Sequence, residues 1–205
     1  MRETAGMTTY SARERTALAD ALDAAGPDAA TLCGGWSTRD LAAHLVLRER
    51  RPDAVAGMVL EAVPALKKHT DTLMLRTAEC AYPELVQQFR HGPPRASVFA
   101  LPGADARLNL AEHFIHHEDV RRAAAGWMPR VLSPGHEAAL WSACRLMARR
   151  SFLRSSVGVV LVVPDGARAV VRNGSSTMVL TGLVSELLLY VSGRRDQAEV
   201  LVAAP

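Results

Sequence analysis

Apolar positions recur at helical spacing along most of the chain, and the residues between them mark where helices start and stop. From Ser11 to about Ala25, Leu18 and Leu22 stand one turn apart, charged residues fill the other side, and Gly26-Pro27 closes the segment. The turn-rich stretch Thr31-Leu32-Cys33-Gly34-Gly35-Trp36 then leads into Ser37-Thr38-Arg39-Asp40. This is a capping-box pattern, in which the Ser37 hydroxyl accepts from a free first-turn amide and Asp40 sets a carboxylate at the positive end of the helix. The helix so opened carries Leu41, His44, Leu45 and Arg48 and meets a kink or break at Pro52. A third helix is expected over about Thr70–Arg90, with Pro83 placed to split it and His91-Gly92-Pro93-Pro94 to end it. After a loop through Pro102-Gly103, a fourth spans about Ala106–Ala125 and closes at Gly126. Ser133-Pro134 opens a fifth, running to about Phe152, with proline in the first turn.

The period then changes. Val157–Val163 is a β-branched run ended by Pro164-Asp165-Gly166, and Ala169–Arg172 precedes Asn173-Gly174, which together read as strand, turn, strand, turn. A strand near Thr177–Leu180, a helix Leu183–Val191 closed by Gly193, and a strand Val200–Ala203 complete the chain. The expected architecture is mainly α: a helical region over residues 1–155, then a small α/β region over 156–205.

Composition supports helices packed over small side chains, since 49% of the 205 residues are hydrophobic but only 5% aromatic. The formal charge is +3, and the arginines form only short clusters, Arg48, Arg50, Arg51 and Arg149, Arg150, Arg154. Without a continuous basic stripe, nucleic acid is not an expected partner. No run approaches the ~18 apolar residues of a membrane span, and the N-terminus lacks the apolar core of a signal peptide. Cys33, Cys80 and Cys144 are odd in number and widely spaced, so they read as packing thiols in a reducing, cytoplasmic protein.

Chemistry concentrates in the fourth helix. Glu112 and His116, four residues apart, share a face and can hold one ion. The rival pair His113 and His117 lies toward Glu118, and the first pair is expected to face inward. A third ligand should come from another helix of the bundle, and His44 is the best placed. Two imidazoles and a carboxylate suit zinc, with nickel, iron or manganese also compatible, and three ligands leave a position open for substrate. Arg48, one turn beyond His44, could reach an anionic group at the ion, and Asn109 and Asp119 flank the ligand pair as groups to orient it. Spacing alone also fits a surface Glu–His pair and a satisfied core histidine at 44. Likewise Arg48, Asn109 and Asp119 also read as solvated helix residues, Trp36 as a packing anchor, and His69, His91 and His136 as solvated residues at loops or helix ends.

Gly35–Leu45 resembles the start of the second helix in the DinB-like metal-binding superfamily. Glu112–Arg121 resembles the second ligand segment of one branch of it, the mycothiol-dependent maleylpyruvate isomerase family. Val179–Gly182, Ser185–Tyr190 and Ser192–Arg194 resemble that family's C-terminal region, in shortened form. The resemblance implies that residues 1–155 form a DinB-like up-down four-helix bundle plus an extra helix, a metal-binding domain whose ligands are His44, Glu112 and His116, with mycothiol, the small thiol of actinobacteria, as cosubstrate. An arginine of that family's second domain contributes to activity, and the resemblance does not single out Arg194 or Arg195 as its counterpart. A thiol of pKa ~8.5 is only slightly ionised at neutral pH, and binding at the cation's open position would make thiolate its major form. The implied activity is a thiol-dependent transfer to, or isomerisation of, an electrophile. The alternatives are a non-catalytic metal-binding sensor or interaction protein, or a metal-dependent hydrolase with Glu118 or Asp119 as base. An iron oxygenase ranks last, because its ligands usually sit on a β-barrel.

Overall fold

The computed structural model describes residues 2–60, 62–95, 97 and 109–204, with the side chains of residues 2–9 and 59 left out. The first helix, α1 (Arg2–Ala25), begins earlier than the apolar pattern suggested. The capping box at Ser37 forms as expected: its backbone N–H donates to Asp40 Oδ2 at 2.9 Å, its hydroxyl accepts from the Asp40 amide, and α2 (Thr38–Arg50) follows. Arg51 is extended ahead of Pro52, so the chain breaks and restarts as α3 (Pro52–Val59) with proline in its first turn. The expected third helix is two, α4 (Pro64–Ala78) and α5 (Tyr82–Arg90). Pro64 and Pro83 each lie in the first turn of one of them, which sets both starts.

The next helix, α6 (Leu110–Arg121), stops four residues short of the expected Ala125, and residues 122–126 form turns. Its expected start at Ala106 and the loop through Pro102-Gly103 lie outside the described residues. Ser133 caps α7 (Pro134–Ser151) by accepting from the His136 amide. The C-terminal region contains β1 (Gly158–Val162), β2 (Arg168–Arg172), β3 (Thr177–Thr181), α8 (Val184–Val191) and β4 (Leu201–Ala203). The sheet order is β2-β1-β3-β4, with β1 and β3 parallel and both outer pairs antiparallel.

Two cores meet at α6. One is built by Leu18 and Leu22 of α1, Leu41 and Leu45 of α2, and Leu85 and Phe89 of α5. The other joins Leu110 and Phe114 of α6 and Leu140 and Cys144 of α7 to Leu161, Leu180 and Leu187. The helix α7 therefore shares its core with the sheet and α8, across the 155/156 position at which composition changes.

The expectation of a single inward face on α6 is corrected. His113, His116, His117, Glu118 and Asp119 are all buried, so both sides of the helix point into protein. The buried ionisable groups of α6 are met by charged groups of neighbouring elements. His113 faces Glu49, which Arg15 also holds, and His117 Nδ1 lies 3.2 Å from Glu14 Oε2. Arg130 spans Glu14 and Glu118, and Arg122 spans Glu118 and Glu186 of α8, with a further bond to the Gln197 carbonyl. His136, expected to be solvated, is buried and stacked on Tyr10 at 4.7 Å, because the start of α7 packs against α1. His69 and His91 are exposed, although His69 lies within α4.

The Arg122 and Glu186 side chains are almost completely buried, so removing the guanidinium leaves the Glu186 carboxylate without its cation in the interior and takes one of three arginines from Glu118. Arg122→Met should cost about 3–5 kcal/mol of unfolding free energy, read from guanidinium denaturation. Burial pushes the Glu14 carboxyl up, but the His117 hydrogen bond and the Arg130 charge outweigh it and bring its pKa from 4.5 to about 2. Between those values the unfolded chain binds more protons, so stability rises with pH there. The contribution is complete above about pH 4.5 and is lost as the pH falls toward 2. Denaturation midpoints should therefore drop on acidification below about pH 5, and Glu14→Gln should make that drop shallower.

Candidate metal centre

The Ser37 cap fixes the start of α2, which places His44 two turns in, on the side facing α6. Across from it, Glu112 and His116 sit one turn apart on α6. His44 Nε2 lies 3.2 Å and His116 Nε2 3.3 Å from the same oxygen, Glu112 Oε1. One donor atom from each of the three residues falls within 4.8 Å of the others. The two imidazoles meet edge to face, with ring centroids 5.3 Å apart.

The ionisation of the donors follows from their surroundings. Burial lowers the pKa of His44 despite the bond to Glu112, which favours the neutral ring. Burial alone would raise Glu112, yet the bonds from His116 and His44 and the charge of Arg48 hold it well below the carboxylate range. Burial alone would lower His116, but the bond to Asp119, together with Cys33 and Glu112, carries it well above the usual histidine range.

The flanking residues are placed as follows. Asp119 Oδ2 lies 2.8 Å from His116 Nδ1, which turns Nε2 toward Glu112. Arg48 Nε lies 3.3 Å from Glu112 Oε1, and its Nη1 donates to Asn109 Oδ1 at 2.6 Å, which ties Asn109 to Glu112 through that arginine. Trp36 packs at the edge of the bundle core with its ring 5.2 Å from His44.

Two residues enter that spacing along the chain did not assign. Cys33, read as a packing thiol, donates to Asp119 Oδ2 at 3.0 Å and lies 3.6 Å from His116 Nδ1. The loop before the Ser37 cap passes over α6 at this point, where the Leu32 amide donates to the Asp119 carbonyl. Arg194 grips both oxygens of Asp119, at 2.8 and 2.6 Å. Its position follows from the end of α8: Gly193 adopts a φ of +100°, Arg194 N–H bonds Leu189 O and Gly193 N–H bonds Tyr190 O. This Schellman turn needs glycine at that φ and projects the next side chain off the helix axis. The Ser192-Gly193-Arg194 sequence held that signal, but not the target of the arginine.

The cluster opens onto two adjoining cavities of about 540 and 570 Å³. The first is lined by Arg48, Glu112 and one side of α7, and the second by Glu112, His116 and Arg194. Among the described residues, the cluster Cys33, His116 and Asp119 also has metal-ligand types, but Arg194 already occupies its carboxylate.

A search of characterised protein sequences returned no significant match. Among solved structures, the chain is similar to mycothiol-dependent maleylpyruvate isomerase. A histidine-to-alanine mutant of that enzyme superposes with a TM-score of 0.66 and 14% identity, covering 98% of this chain and 92% of the other. A second structure of the isomerase gives 0.60 at the same identity and coverage. At that identity the likeness establishes the fold, which is DinB-like. The sequence profile described as Mycothiol maleylpyruvate isomerase N-terminal domain matches residues 10–121, a span that contains both α2 and α6. With more than half of its length under that profile, the chain belongs to the mycothiol maleylpyruvate isomerase N-terminal domain family.

Proposed function

We propose that the chain binds one divalent ion, zinc by ligand type, through His44, Glu112 and His116, and uses it with mycothiol in a transferase or isomerase reaction on an electrophile. The observation that carries this reading is the convergence of three donors from two helices beside open cavities. Ligands about 2.0–2.1 Å from a tetrahedral zinc ion stand about 3.3 Å apart. The spacings of 3.2 and 3.3 Å around Glu112 Oε1 fit that donor set. The ion would supply a positive charge that favours the thiolate of the bound cosubstrate.

The chain's own residues orient the site. Asp119 fixes the His116 ring, and Arg48 steadies Glu112. Arg194, anchored on Asp119, borders the cavity beside His116. The hydrolase alternative loses its base, because Glu118 is held by Arg121, Arg122 and Arg130, and Asp119 by His116 and Arg194. Free cysteines, and the absence of any helix among the described residues long and apolar enough to cross a membrane, fit action in the cytoplasm.

Elemental analysis of untagged protein should find one equivalent of a divalent metal, and His44→Ala should lose it. Calorimetry should show mycothiol binding to the metal-loaded protein, and His116→Ala should abolish conjugation of mycothiol to an electrophile. Metal-loaded protein that binds no thiol would overturn the reading. Asp119→Asn, which weakens the hold on His116 and leaves all three ligands in place, should lower metal affinity by about 10–100-fold in a chelator competition.

A further inference from the structure

One face of α7 presents Ser142, Arg145, Leu146 and Arg150 to the 540 Å³ cavity, with Arg48 and Glu112 closing the opposite side. That volume is in the range of about 300–1,000 Å³ typical of small-molecule sites. Its charge is one-sided. Among the described residues, three arginines line it against one carboxylate, Glu112, which already faces Arg48 and two imidazoles. Among the described residues no carboxylate lies within ion-pair distance of Arg145 or Arg150. The Nε of Arg145 is shielded from solvent without a hydrogen-bond partner, while its guanidinium lies over the Trp141 ring at 5.9 Å. A helix arginine placed only for solubility would keep that donor in water. Arg150 also borders the second cavity, beside His116 and Arg194, so the positive lining runs from α7 to the ligand cluster. Walls of low dielectric focus the field of such a group, and guanidinium forks match planar or tetrahedral oxyanions.

We propose that Arg145 and Arg150 form an oxyanion-binding subsite that takes the carboxylate or phosphate end of the electrophile, leaving its reactive end toward His44, Glu112 and His116. This deepens the proposed function and rests on it for the direction of the substrate, but the subsite itself is testable without metal.

The test is calorimetric titration of the full chain, metal-stripped and zinc-loaded, with succinate, inorganic phosphate and uncharged succinamide. Wild type should bind one of the two anions saturably and leave succinamide unbound, and the better anion identifies the group. Arg150→Gln alone, on the exposed side of α7, and the double variant with Arg145→Gln should each weaken that binding by about tenfold or more, the worth of a charge-assisted hydrogen bond. Arg149→Gln, exposed and outside the cavity lining, should leave it unchanged. The proposal is overturned if neither anion binds, if succinamide binds as well as succinate, or if Arg149→Gln weakens binding as much as Arg150→Gln. Metal content measured on the same samples separates the two readings. Anion binding that follows the arginines in protein unable to hold zinc leaves the subsite standing and removes the metal centre.

Discussion

The structure depends on the near-complete enclosure of α6. A helix that meets solvent along one side can leave its ionisable residues in water, whereas α6 has α1 on one flank and the α7, α8 and sheet core on another. Its histidines and carboxylates must then find charges inside the protein, because an uncompensated buried ion costs several kcal/mol. Glu14, Glu49, Arg122 and Arg130 answer that demand. The conspicuous density of His, Glu and Asp on this helix is therefore mostly the interior electrostatics of a central helix. Only Glu112 and His116 are turned to a place where a neighbouring helix supplies a donor and a cavity supplies access.

That distinction also gives the C-terminal region a physical role. It is bound to α6 by two arginine links, Arg122 to Glu186 and Arg194 to Asp119. The first lies wholly in the interior and joins the two cores. The second ends on the carboxylate that orients His116, so the placement of α8 and the setting of the candidate ligand are mechanically connected. Cys33 adds a contact from the loop before α2 to the same carboxylate. Two distant parts of the chain thus converge on Asp119, a residue with no exposed surface.

Much of this was legible in the residue order. The capping box at Ser37, the prolines at the starts of α3, α5 and α7, and the change from period 3.6 to β-branched runs after Phe152 are local signals, and local backbone chemistry determines them. The Glu112–His116 spacing is of the same kind, being a property of helix geometry alone. A partner for that pair could be nominated in His44 because the capped helix fixes its depth from the Ser37 end.

The sequence could not show that α6 is surrounded. Burial on all sides is decided by what packs there, and the helix has no clean apolar stripe to reveal it, since charged neighbours satisfy its polar side. For the same reason His136 looked solvated and Cys33 looked inert: each meets a partner about a hundred residues away, or nearly so, along the chain. The parallel pairing of β1 with β3 and the grip of Arg194 on Asp119 are likewise long-range contacts. Sequence determined the helices and the spacing of the donors on them; the tertiary structure alone decided which of many ionisable groups neutralise one another and which face a cavity, because that choice is made by distance through space.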